Sequence, residues 1–169
     1  STENSSEIFL RDEGDNQLPS LLIIAPDGDN IQTLMTPLMN WKKMKGYKVF
    51  YHTLSETGYS NIEIKSFIQN AYDNWEYPPN FICIVGDADG PYTVPTFIES
   101  VSLYNGEGDH PYTLLEGDDN ISDVSIGRLS IRSLSHLANI TNKILHYEQE
   151  PFLNNEDWFK RALCVGDPS

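Results

Sequence analysis

Two stretches of this chain admit few folds. Leu21-Leu22-Ile23-Ile24-Ala25 and Phe81-Ile82-Cys83-Ile84-Val85 are continuous apolar runs. Each is closed by a turn, Pro26-Asp27-Gly28 after the first and Gly86-Asp87-Ala88-Asp89-Gly90 after the second. A short apolar run with no polar alternation reads as a strand buried on both faces, and such strands belong to parallel sheets covered by helices.

Around these runs the period changes. Ile31, Leu34, Met35, Leu38 and Met39 follow helical spacing. Pro37 conflicts with an uninterrupted helix, so regular helix is expected to begin with Thr36 as cap and Pro37 in the first turn, ending at Lys45-Gly46. Lys48 to Thr53 is a second strand. Ser60 and Glu63 form a capping-box pattern ahead of a stripe of Ile64, Phe67, Ile68, Ala71 and Trp75, which Pro78-Pro79 stops. Val124 to Ser130 is a further strand. Ser133 or Ser135 caps a third helix running to about Gln149, with Leu137, Ile140, Ile144 and Leu145 inward, and Arg161 to Val165 begins a fifth strand. The stretch from 90 to 122 is irregular, and a loop this long is functional or holds a hairpin.

This order predicts an α/β fold: a mostly parallel sheet of about four to five strands with helices on both faces. Working loops of such sheets lie beyond the carboxyl ends of the strands, where Asp27, Asp29, Asp87 and Asp89 fall. Residues 1–18 read as a tail or linker, 19–155 as one subdomain, and 156–169 as the opening strand of a second. A last strand with no element after it points to part of a longer protein.

Charge narrows the function classes. Lys plus Arg is 11 against 25 Asp plus Glu, a net charge of −14, which repels phosphate backbones and anionic lipid. No nucleic-acid partner is expected. No apolar run approaches about 20 residues, so no membrane insertion is expected either. Between Lys65 and Arg128 there is no Lys or Arg, yet residues 66–127 hold eleven carboxylates. Two readings of that stretch stand side by side: a solvated acidic rim, or a divalent-cation site built from loop oxygens. The spacing is not that of an EF-hand, and no Gly-rich phosphate cradle is present.

Nucleophilic chemistry needs a thiolate beside a base. Cys83 and Cys164 both sit inside apolar strands, where inert buried thiols are expected, and two cysteines make no disulfide framework. His52, His136 and His146 read as packing or surface residues. His110, in Asp109-His110-Pro111-Tyr112, reads either as a loop anchor or as a site residue. No catalytic residue is nominated. A second reading is a stand-alone acidic module: Asp87 with neighbouring acids would hold a divalent cation, with Ser130 supplying a hydroxyl, as in receiver-like signalling domains. The lysine those domains carry beyond a fifth strand is missing here.

Several ordered segments together resemble the gingipain-type cysteine peptidase domain. They are Trp41-Lys42-Lys43-Met44-Lys45-Gly46-Tyr47-Lys48-Val49, Val85-Gly86-Asp87-Ala88-Asp89-Gly90, Asp109-His110-Pro111-Tyr112, Gly117-Asp118-Asp119, Ser125-Ile126-Gly127-Arg128-Leu129-Ser130, Lys143-Ile144-Leu145-His146-Tyr147-Glu148, and the return from Trp158 to Val165. The resemblance covers about residues 20–169. It implies a caspase-like fold of two side-by-side subdomains, with this chain as the amino-terminal one. The catalytic His and Cys would then lie beyond this chain, and Cys164 matches an ordinary strand position. The chain's partners would be the catalytic subdomain of the same parent and a peptide or protein substrate. Whether the isolated chain is itself an enzyme is left open, while its parent is expected to be a cysteine endopeptidase. The resemblance also implies calcium and no organic cofactor; the carboxylates nominated for the metal are Asp87, Asp89, Asp109, Asp118 and Asp119. It further implies an extracellular or cell-surface protein.

Overall fold

A computed structural model describes residues 18–101, 104–151 and 156–162. Four strands form one parallel sheet: β1 (Ser20–Ala25), β2 (Lys48–Thr53), β3 (Phe81–Val85) and β6 (Ser125–Leu129), in the order β2-β1-β3-β6. Strands β4 (Phe97–Val101) and β5 (Tyr104–Gly108) form a separate antiparallel hairpin. The helices are α1 (Asp29–Met44), a four-residue α2 (Leu54–Thr57), α3 (Asn61–Asn74) and α4 (Leu134–Gln149), with 3-10 turns at His110–Thr113 and Glu156–Lys160.

The two buried runs form the middle of the sheet, and their alternation divides the core. Leu22, Ile24, Ile82 and Ile84 face a layer made by Ile64 and Ile68 of α3 together with Val94, Tyr112 and Leu115. Ile23, Ala25 and Val85 face the other layer, made by Ile31, Met35 and Leu38 of α1 and Leu137 of α4. The crossover from β3 to β6 carries no long helix. The hairpin and the His110–Thr113 turn occupy that place, and Tyr112 is fully buried there with its hydroxyl donating to the Pro95 carbonyl at 2.7 Å.

Helix α1 departs from expectation. It runs unbroken from Asp29 through Pro37. Pro37 removes one backbone bond and crowds the preceding turn, but it lies on the exposed side, where the freed carbonyl can turn to water. Burial of Ile31, Met35, Leu38 and Met39 spans both sides of the proline and holds the helix together. Helix α3 begins as its sequence predicts, with the Ser60 hydroxyl accepting from the Glu63 N–H at 3.2 Å and the Glu63 carboxylate accepting from the Ser60 N–H at 3.0 Å. Arg161 and Ala162 are not strand: the Arg161 N–H donates to the Trp158 carbonyl at 3.2 Å and so closes a turn. The remainder of the expected fifth strand, and residues 1–17 of the expected tail, lie outside the described residues.

Candidate functional site

In this topology the chain leaves β1 toward β2 on one side and later crosses to β3 on the other. The crevice between the carboxyl ends of β1 and β3 is therefore the switch point where such sheets place ligands. Its first wall is the turn after β1. Asp27 accepts from the Ser55 N–H at 3.1 Å and from the Tyr59 hydroxyl at 2.8 Å. The Ser55 and Tyr59 donors outweigh slight desolvation and hold its carboxyl at about 2. Asp27 thus ties the β1 turn to α2 and to the start of α3.

The second wall is the loop after β3. Gly86 turns the chain at φ +143°, and the Asp87 N–H then donates to the Tyr92 carbonyl at 3.0 Å while the Val94 N–H returns to the Asp87 carbonyl at 2.9 Å. The loop closes on itself and drives Val94 into the core.

Arg128 of β6 locks this loop to the hairpin. Alternation along β6 turns Arg128 to the same sheet face as the partly buried Ile126, so its guanidinium must find acceptors inside the protein. Nε and one terminal nitrogen take Asp109 bidentately at 2.8 and 2.7 Å. The terminal nitrogens also donate to the carbonyls of Gly86 at 3.2 Å, Val94 at 2.9 Å and Pro95 at 3.4 Å. Five hydrogen bonds match the five N–H groups of a guanidinium, a use that lysine cannot reproduce. Only 12% of the Arg128 side chain and 18% of Asp109 are exposed. Thr96 completes the cluster, donating to Asp109 at 3.0 Å.

Outside that buried pair, Arg132 bridges Asp87 at 3.1 Å and Asp89 at 2.6 Å in solvent, its side chain 61% exposed. Its hydrogen bond, more than its charge, holds the Asp87 carboxyl below the usual carboxylate range.

The five nominated carboxylates therefore do not converge. Asp87 and Asp89 stand beyond the carboxyl end of β3 on Arg132, and Asp109 is bound to Arg128. Asp118 and Asp119 stand in the exposed turn that precedes β6, on the side where Ser122 and Ser125 neighbour Asn80 at the amino end of β3. The length of a five-residue strand, about 15 Å, lies between the two ends of the sheet beside which these groups stand. Asp119 accepts from the Ile121 N–H at 2.8 Å, and neither of these two acids has an ion pair among the described residues. No group of three or more His, Cys, Asp or Glu side chains is placed to hold a metal among the described residues. Asp87 is paired with an arginine and not offered to a cation, so the receiver-like alternative has no support in the geometry.

Cys83 is half-buried where full burial was expected, packed against the α1–α4 layer. Burial pushes its thiol up to about 12, which the Lys42 charge only partly offsets. Cys164 lies outside the described residues. His110 opens the 3-10 turn, where its main-chain carbonyl accepts from the Thr113 hydroxyl at 2.7 Å. The residues that sequence reading passed over are Arg128 and Arg132. The available signal was their position as the first cations after a 62-residue stretch without any, with Arg128 on a strand position that alternation turns inward.

The geometry is that of a doubly wound α/β layer. Its strand-end loops are fixed by ion pairs, and no cysteine–histidine pair occurs among the described residues. The chain belongs to peptidase family C25, whose family model matches residues 15–169. Lys-gingipain of Porphyromonas gingivalis is 28% identical over 167 residues, covering 91% of this chain and 9% of that protein. Gingipain R2 of the same species is 26% identical over 139 residues, covering 78% of this chain and 18% of that protein. A solved structure described as "Structure of Protease" matches with a TM-score of 0.70 at 26% identity, covering 83% of this chain and 30% of that one. The Arg specific cysteine proteinase gingipain R matches at TM-score 0.66 and 20% identity, covering 80% of this chain and 29% of that one, a likeness in fold. The chain thus spans less than a fifth of the curated relatives' length. The α/β architecture expected from the residues, and caspase-like by the resemblance, is the one these neighbours share.

Proposed function

We propose that this chain is the amino-terminal subdomain of a gingipain-like cysteine endopeptidase, supporting a catalytic subdomain and shaping the substrate cleft with the loops after β1, β3 and β6. The carrying observation is the family match along residues 15–169, joined to a half-buried Cys83 whose thiol is raised far from a reactive thiolate. The nucleophilic cysteine and its histidine belong to the remainder of the parent. There a thiolate attacks the peptide carbonyl, the imidazole moves the proton, and backbone amides hold the oxyanion. In this chain, Arg128 and Arg132 keep the loop edges rigid, so that substrate meets a preformed wall.

Incubation with a peptide panel tests this reading. The 169-residue chain should show no turnover, and a longer product of the same reading frame should cleave peptides until its thiol is alkylated. Turnover by the short chain that Cys164→Ala abolishes would overturn the assignment.

Calcium belongs to the same reading, with Asp118 and Asp119 as the nominated acids that no cation engages among the described residues. A melting temperature raised by millimolar Ca²⁺ above that in NaCl of equal ionic strength supports it, and equal melting temperatures count against it. An exported protein is likewise our reading, tested by fractionating cells. Among the described residues no helix is long and apolar enough to cross a membrane.

A further inference from the structure

The sheet has two edges, and they differ in kind. Strand β2 carries Lys48, whose ammonium lies 4.4 Å from the Tyr77 ring centroid, and its Phe50 and His52 stack on Trp75 at 4.7 and 5.6 Å. A lysine on an edge strand is a common device against unwanted pairing. Strand β6 has no such device. Its one charge, Arg128, is turned inward onto Asp109 and three carbonyls, and the strand holds neither proline nor lysine.

The direction of its backbone groups follows from two bonds. The Ser125 N–H donates to Asn80, and the Leu129 carbonyl accepts from Gly86. Residues 125, 127 and 129 therefore face β3, while the N–H and C=O of Ile126 and Arg128 point outward. No described strand pairs with them.

Beside this edge, on the α1–α4 face, lies a hollow of about 330 Å³ lined by Leu21, Lys42, Tyr47, Phe81, Ser125 and Gly127. Phe81 is 39% exposed into it, and a Cβ built on Gly127 meets nothing within 4 Å. The hollow is about twice the roughly 150 Å³ that holds benzene in a buried cavity.

We propose that the open edge of β6 receives an extended strand from the rest of the same protein, which pairs with the outward groups of Ile126 and Arg128 and sets a large apolar side chain into the hollow over Gly127. This rests on the subdomain reading above, and the occupant is argued from length: this chain covers only 30% of a solved relative. A bulky residue beside a strand glycine supplies the packing that the glycine lacks.

Residue-resolved amide exchange tests it on two proteins, the 169-residue chain and a longer product of its reading frame, with peptidase activity measured on the same samples. In the longer protein the Ile126 and Arg128 amides should exchange about a hundredfold slower or more, while Gly127, already turned to β3, changes little. Gly127→Leu should leave the melting temperature of the short chain unchanged or raised, and should remove the added protection in the longer one. An active longer protein with no new protection at 126 and 128 overturns the edge proposal and leaves the subdomain reading standing. Protection without thiol-dependent activity does the reverse. Concentration-dependent protection in the short chain assigns the edge to a second copy and overturns the proposal. Protection that survives Gly127→Leu removes the claim on the hollow.

Discussion

Gly86 shows how a single residue shapes the candidate cleft. Its φ of +143° and a would-be Cβ only 2.5 Å from the Tyr92 carbonyl oxygen leave no room for any side chain. Gly86→Ala should cost about 2–4 kcal/mol in urea unfolding, through backbone strain and a displaced Val94. Gly46→Ala, at φ +92° in open space, should cost only about 1 kcal/mol. Equal losses at the two sites would refute the steric account. Arg128 carries a second prediction. Arg128→Ala leaves Asp109 buried without its partner, an expected loss of about 3–5 kcal/mol, and Asp109→Ala strands the guanidinium in the same way. The double variant should lose clearly less than the sum of the two. Additive losses in that cycle would mean the pair acts as two separate contacts. Arg128 itself stood in plain view in the sequence, on an inward strand position. Its partner was not legible, because eleven carboxylates without a cation offered no local reason to select Asp109.

Among the elements, α1 and α4 are joined by one carboxylate. Glu148 accepts from the Trp41 indole at 2.8 Å, from Lys42 at 2.6 Å and from Lys45 at 3.0 Å. Burial alone would raise its carboxyl, but the three donors outweigh that and hold it at about 2, below the ordinary 4.5. A depressed carboxyl contributes stability that is complete above its unfolded value and is lost as pH falls through the folded one. The wild-type urea midpoint should therefore fall between about pH 4.5 and pH 2 more steeply than that of Glu148→Gln. That variant should be about 1–2 kcal/mol less stable at pH 7. Parallel midpoint curves would remove Glu148 from the acid response. Most elements were legible from period and caps: β2, β3 and the Ser60 capping box sit where their residues place them. Two were less so. Helix α1 runs through Pro37 because core burial overrides a local preference, and the hairpin was one of two readings of the 90–122 stretch, its strand bounds unmarked among turn residues and its Phe97 packed on Tyr112 at 5.0 Å.

For the molecule as a whole, the dominant fact is a charge of −14. Like charges at such density oppose compaction, and a Debye length of about 8 Å at 0.15 M salt screens the exposed ones while leaving the buried Arg128–Asp109 pair largely untouched. The melting temperature should rise as NaCl is added from low ionic strength to 0.15 M. A fall would mean that surface ion pairs such as Arg132 with Asp87 and Asp89 outweigh the general repulsion. By themselves the residues determined the layer order, the burial of the two central strands and the inertness of Cys83, because hydrophobic period and capping act over a few neighbours. Only the tertiary structure decided which acids meet which arginines, how the five nominated carboxylates divide between the two ends of the sheet, and that β6 has no second partner strand among the described residues. Those outcomes depend on residues far apart in sequence, and a carboxylate in a loop carries no local mark of the cation that folding will bring to it.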